Sequence, residues 1–342
     1  MKRTQWLALA GWLVALLIPS GWAGAGSADT VAVPNAEDLA LVAEGRWVIA
    51  SSMPAVMGEP GALYGIATAS RAVIALAPDR EAVDSRSWAG CDRPLSSDNL
   101  SPHGIAVQKI DDRELLFVVT HGQREAVEIY EVREGEALSL HWLDCLALPT
   151  GASANAVAAA ADGRVFVTNM NAPEEPESSD ETSRWMGNVL VWSAAAGWAP
   201  LAGSRMYAPN GLLVSDDGAT VWVASWAGGE VVRWSEGQQT ALSLPFLPDN
   251  LRWESDDTLL AAGLRASPMA VVACLMGQGD CAAIRTAVAR VDVSADAFRL
   301  DCVRELALSM GTSALPVDSD WWVGPVRGDD IQIVDPQACR RH

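Results

Sequence analysis

Beyond its first 28 residues, the chain has no apolar run long enough to cross a bilayer. It has no CxxC pair, so zinc-finger and thioredoxin-like chemistry finds no support. There is no GxSxG elbow, no P-loop and no GxGxxG ahead of a helix, which argues against a serine hydrolase or a nucleotide enzyme. Long amphipathic helical patterns are also missing. Positive charge is scarce: 24 Lys and Arg face 43 Asp and Glu, for a net charge of −19. A surface this acidic repels nucleic acid and anionic lipid, and it raises the local concentration of divalent cations.

The first residues combine a basic start, Lys2-Arg3, with an apolar run and the small residues Ala23-Gly24-Ala25. This pattern reads as a secretory signal peptide over 1–25, with a retained anchor as the alternative. Export to the periplasm or the exterior then explains the cysteines. All six lie after this segment, and an even count in an oxidising compartment points to disulfides. Cys274 and Cys281 close a short loop and are expected to pair. Cys91–Cys145 and Cys302–Cys339 are the further expected pairs. The remaining chain, 30–342, is half hydrophobic by overall composition and is read as a single domain.

A recurring phrase organises that domain. HGIAVQKIDDRELLFVVTHG starts at His103, NAVAAAADGRVFVTNM at Asn155, NGLLVSDDGATVWVASW at Asn210 and NLRWESDDTLLAAGL at Asn250. Each is a polar residue, an apolar strand, a turn rich in Asp or Gly, and a second apolar strand. These copies start 52, 55 and 40 residues apart. Looser copies begin at Glu37 and Thr312, which makes six. Further strands such as AVEIYEV, NVLVWS and EVVRWS follow most hairpins. Evenly spaced strands in repeats of this length predict an all-β, six-bladed β-propeller with four-stranded blades. A sandwich or a β-helix is the structural rival.

In a propeller the innermost strand of each blade lines a central channel. The polar residue that opens each copy would then stand at one mouth of that channel. Glu37, Asn155, Asn210, Asp249 and Asn250 would converge there, offering two carboxylates and three amide oxygens. These are hard oxygen donors, and they suit Ca2+ better than zinc or copper. An Asn before Gly is more often a turn residue; five at equivalent repeat positions are harder to read that way.

The motifs SPHGIAV, VVTHG, SANAVAA with VFVTN, APNGLLVSDDGATVWVA and PDNLRW, in that order, resemble the paraoxonase/arylesterase family. That family belongs to the calcium-dependent six-bladed propellers that include gluconolactonases and senescence marker protein. The resemblance implies that Glu37, Asn155, Asn210, Asp249 and Asn250 hold a catalytic calcium. It implies that His103 and His121 form a histidine pair, with His103 as a general base. It places Asp38 and the carbonyl of Ile105 at a second, structural calcium. There this chain departs from the family, because Ala156 stands where an Asp is expected. The family's N-terminal cysteine, which ties the ring shut, has no counterpart before Cys91.

The implied activity is hydrolysis of lactones or carboxylic (aryl) esters, with the metal polarising the carbonyl and water as nucleophile. A non-catalytic ligand- or protein-binding propeller and a gluconolactonase-like sugar lactonase are the alternatives. The expected partner is a small-molecule substrate, with no nucleic acid and no stable membrane association, and the protein is expected to be a monomer. Trp47, Trp222, Trp234, Trp321 and Trp322 read as blade packing, and Trp226 as a candidate pocket residue. The acidic segment from Asn171 to Trp185 reads as a solvated loop, or alternatively as a lid over the mouth.

Overall fold

The computed structural model describes residues 29–56, 58–78, 88, 90–171, 186–294 and 297–341. The expected signal peptide and nearly all of the acidic segment lie outside them. The described strands form six antiparallel sheets arranged as a six-bladed propeller. The innermost strands are Ala36–Val42, Leu100–Ile110, Ala154–Ala159, Pro209–Val214, Leu247–Ser255 and Gly311–Val317. They are numbered here as blades 1 to 6. Each inner strand packs against the next around the ring, and the sixth packs against the first. Every copy of the recurring phrase thus supplies the inner hairpin of one blade.

Alternation of side chains along each strand sends one face of a blade to each neighbour, which makes a core between every pair of blades. Ile49, Leu116 and Tyr130 sit in the core between blades 1 and 2, and Phe117, Val127 and Val165 in the core between 2 and 3. Trp222 meets Trp253 edge to face, at 5.0 Å between ring centroids, where blade 4 packs on blade 5. Trp321 is fully buried between blades 5 and 6 and donates its indole N–H to Glu254 Oε1 at 2.8 Å.

The ring is closed by hydrogen bonds. The N-terminal strand Asp29–Ala32 pairs antiparallel with Asp330–Val334 and becomes the outermost strand of blade 6. The first residues of the domain therefore complete its last blade, and a closing disulfide is not needed. All six cysteines are paired, as Cys91–Cys145, Cys274–Cys281 and Cys302–Cys339, which agrees with the expected pairing and with an oxidising environment. The last of these holds the C-terminal Arg340–Arg341 strand at the edge of blade 5. Among the described residues no helix is long and apolar enough to cross a membrane.

One element has no counterpart in the strand pattern. Between two strands of blade 5, Thr258–Arg265 and Arg285–Asp292, lies the helix Pro268–Leu275. Ser267 caps it by accepting from the Ala270 amide, and Pro268 stands in its first turn, where a missing N–H costs nothing. The Cys274–Cys281 disulfide staples its end to the following loop.

Candidate metal and catalytic site

All six inner strands carry a break in register at the same place, where they open at the channel mouth. The shifts fall between Ala36 and Asp38, Pro102 and Ile105, Ala154 and Val157, Pro209 and Leu212, Pro248 and Leu251, and Gly311 and Ser313. A bulge adds an unpaired residue and re-aims its side chain. The polar residues inside these bulges are Glu37, His103, Asn155, Asn210, Asp249, Asn250 and Thr312. Each is released from the ladder and all are buried, at 1–7% exposure.

The glycines after the site residues have a packing role. A Cβ on Gly104 would collide with the Asn155 carbonyl, and one on Gly211 with the Asp249 carbonyl. The strands approach so closely near the axis that only glycine fits at these two positions. Asn210-Gly211 is therefore the start of an inner strand rather than a turn.

Glu37, His103, Asn155, Asn210, Asp249 and Thr312 line one cavity of about 340 Å3. Asn250 lies against them and donates its amide to Glu37 Oε1 at 2.7 Å. Thr312 donates to the Glu37 carbonyl at 2.9 Å. The acceptors tell a different story. Glu37 Oε2, Asn155 Oδ1, Asn210 Oδ1 and Asn250 Oδ1 are all buried and accept no hydrogen bond from the protein. A buried polar atom left without a partner costs about 1–3 kcal/mol. Three of them belong to residues that line this cavity and the fourth to Asn250 beside it, and a bound cation would satisfy such a group. Among the described residues no three His, Cys, Asp or Glu side chains cluster tightly enough to hold a metal by themselves. A metal held here would therefore need the amide oxygens as well as the carboxylates. All the donors are hard oxygens, which fits Ca2+.

The electrostatics agree. Burial pushes the Glu37 carboxyl well above its ordinary range, and the nearby Asp38 and Asp249 charges push it further. Asp249 is pushed up to about 8, first by burial and then by the Asp38 charge. Carboxyl groups crowded in this way favour a divalent cation over leaving both ionised and unpaired.

Beside the oxygens runs a line of proton carriers. His103 Nδ1 lies 2.9 Å from His121 Nε2, and His121 Nδ1 lies 2.8 Å from Glu125 Oε2. The other Glu125 oxygen accepts from the Ala154 amide at 2.7 Å, which fixes the carboxylate. This geometry sets the tautomers. A carboxylate can only accept, so His121 carries its proton on Nδ1 and accepts at Nε2. His103 then donates from Nδ1, and its Nε2 keeps a lone pair. That nitrogen lies 3.4 Å from the Asn155 amide and 3.9 Å from Glu37 Oε1. Burial, helped by the positive charge of Arg327, lowers the His103 pKa to about 3, so the ring is neutral. Glu125 was not among the residues singled out from the sequence. Its only mark there is a position four residues after His121.

Asp38 and Ile105 also meet, one step further down the channel. The Ile105 amide donates to Asp38 Oδ2 at 2.9 Å. Both groups are engaged by Arg252: its Nη2 donates to Asp38 Oδ1 and to the Ile105 carbonyl.

The cavity walls above this floor are apolar. Met53, Met170, Trp226 and Leu264 come from strand ends, and Val271, Val272 and Leu275 from the helix. Trp226 is 8% exposed and joins the buried cluster beneath the helix, as its position past a strand end suggested.

A sequence model of the SMP-30/gluconolactonase/LRE-like region matches residues 51–243. No curated protein sequence matches significantly. Among solved structures, a gluconolactonase from Xanthomonas campestris aligns at 16% identity over 90% of this chain and 88% of its own, with a TM-score of 0.52. A luciferin-regenerating enzyme aligns at 12% identity over 92% and 94%, with a TM-score of 0.54. A putative gluconolactonase aligns at 14% identity over 93% and 96%, with a TM-score of 0.51. At such identities these likenesses speak for the fold alone. The sequence match covers more than half of the chain, and on that ground the protein belongs to the SMP-30/gluconolactonase/LRE-like family.

Proposed function

We propose that the protein is an exported, calcium-dependent hydrolase of apolar lactones or aryl esters, close in chemistry to the paraoxonase/arylesterase branch of the propeller hydrolases. The observation that carries this reading is the set of four buried, unpaired oxygens from four different residues beside a neutral histidine. Glu37, Asn155, Asn210, Asp249 and Asn250 would hold the cation. Bound there, it would supply Lewis-acid polarisation of the substrate carbonyl and stabilise negative charge as that charge develops on oxygen.

The chain's own residues supply the remainder. His103 Nε2 accepts a proton from the attacking water. The positive charge this creates is shared along the line to His121 and is stabilised by the Glu125 carboxylate. Asn155 places its amide beside His103 Nε2 and helps orient the ring. The apolar walls exclude bulk water and receive the non-reacting part of the substrate.

A sugar lactone is the second reading, suggested by the names of the family and of two structural relatives. The walls favour the apolar substrate. A sugar brings several hydroxyls, and Met53, Met170, Trp226, Leu264, Val271, Val272 and Leu275 offer it almost no hydrogen-bond partners. A hydroxyl buried without one is disfavoured by about 1–3 kcal/mol.

A panel of aliphatic lactones, aryl esters and sugar lactones, assayed in chelator and again after calcium is restored, tests this reading. Turnover of apolar lactones or aryl esters that disappears in chelator and returns with calcium is the expected result, and Asn210→Ala should lack it. Full turnover in chelator would refute the metal role. Turnover confined to sugar lactones would favour the second reading.

A further inference from the structure

Arg252 lies on the inner strand of blade 5, two residues past Asn250, and its side chain is only 12% exposed. Its guanidinium is shared among three blades. Nε donates to the Leu39 carbonyl at 2.6 Å and Nη1 to the Leu251 carbonyl at 2.7 Å. Nη2 reaches Asp38 Oδ1 on blade 1 and the Ile105 carbonyl on blade 2, the latter at 2.9 Å. Asp38, 1% exposed, is otherwise satisfied by the amides of Leu39 and Ile105, both at 2.9 Å. None of its oxygens, and no oxygen of Ile105, is left unpaired. This contrasts with the four orphaned oxygens at the mouth.

The neighbouring inner strand adds no carboxylate. Ala156 is buried at 4% exposure, and its amide donates to Thr168 Oγ1 at 2.9 Å. A metal entering at Asp38 and Ile105 would find one carboxylate where a calcium site wants several. It would also have to take Asp38, the one carboxylate paired with this guanidinium, and a buried charge stripped of its counter-charge is strongly disfavoured. The planar fork of arginine, by contrast, matches a carboxylate oxygen and three carbonyls at once.

We propose that Arg252 is a built-in cation occupying the deep position of the channel, so that the protein binds one exchangeable divalent ion and keeps blades 1, 2 and 5 pinned when that ion is removed. The count of one rests on the mouth site described above; the pinning by Arg252 does not, and the two are measured separately.

The first arm strips the purified protein with chelator, dialyses it against excess calcium and counts tightly bound metal per chain. One ion is expected, and two would overturn the proposal. An Ala156→Asp/Arg252→Met variant, which restores a carboxylate and removes the guanidinium, is expected to bind one ion more than the wild type; an unchanged count would overturn it. The second arm melts the proteins in chelator, where the mouth site plays no part. Arg252→Met is expected to melt about 5–10 °C below wild type, the size of a broken buried pair in a domain of this length. Arg252→Lys, which keeps the charge but not the fork, is expected to fall between them. Wild-type melting of either variant would overturn the pinning role. A wild-type count of zero, with the melting difference intact, would refute the mouth site and the count of one but uphold the pin.

Discussion

Replacing Asn155 with leucine should make the metal-free protein more stable and the calcium-loaded protein less so. Asn155 is 6% exposed, and its Oδ1 is buried without a hydrogen bond. Its amide makes one long contact, 3.4 Å to His103 Nε2. Leucine has the same number and branching of side-chain heavy atoms, is somewhat bulkier, and carries neither polar group. Removing the unpaired oxygen should return about 1–3 kcal/mol, and losing the weak contact should cost less than about 1 kcal/mol. The net gain in chelator is therefore about 1–2 kcal/mol, or a rise in Tm of about 2–6 °C. In calcium the order inverts. A ligand present at a hundred times its Kd stabilises the wild type by about 2.7 kcal/mol, and a chain with a weakened site gains much less. Differential scanning calorimetry of both proteins, in chelator and in calcium, reads the two effects together. An Asn155→Leu protein that melts below wild type in chelator, yet gains as much from calcium, would refute the idea that the oxygen is held ready for a cation.

The mouth should also show itself in pH dependence. Asp249, with a folded pKa of about 8 against an ordinary aspartate near 3.9, holds a proton that the unfolded chain releases between those values. Metal-free stability should then fall as pH rises through that window, while the gain from calcium grows; a pH-independent gain in Tm would contradict this. Changing His103 to asparagine should lower kcat by about 10²–10⁴-fold, and Glu125→Gln by about 10- to 100-fold, both with calcium affinity retained. A loss of calcium binding in step with kcat would mean that this line of residues only supports the site. Val272→Asn, which places an amide on the apolar wall, should reduce kcat/KM on an aliphatic lactone by about tenfold and spare a small acetate ester. Equal losses on both substrates would argue that the wall does not select.

The inner strands were legible because one position is written six times. Glu37, Asn155, Asn210, Asp249 and Asn250 open copies of the same phrase, and the propeller brings equivalent positions to one point. The same logic could not reach Arg252 or Glu125. Arg252 pairs with residues 147 and 214 positions away in sequence, and no other copy carries an arginine in that place. Glu125 sits in a short connection outside the repeated strands, and its role appears only once His121 is seen to point at it. The bulges that aim the site were also hidden, because a register shift changes pairing without changing the apolar pattern. The sequence offers no N-terminal cysteine to tie the ring shut, and the backbone pairing of Asp29–Ala32 that closes it instead leaves no mark in the repeat. The helix Pro268–Leu275 was missed because it is short and apolar throughout, with no amphipathic period. Ser267-Pro268, a cap followed by a first-turn proline, was the available signal.

Residues from separate blades are expected to surround one hard cation at the channel mouth. A crystal grown in calcium, with diffraction recorded where calcium scatters anomalously, tests it most directly. One anomalous peak is expected, at about 2.3–2.6 Å from oxygens of Glu37, Asn155, Asn210, Asp249 and Asn250. An empty mouth in crystals of protein that still hydrolyses its substrate would contradict it.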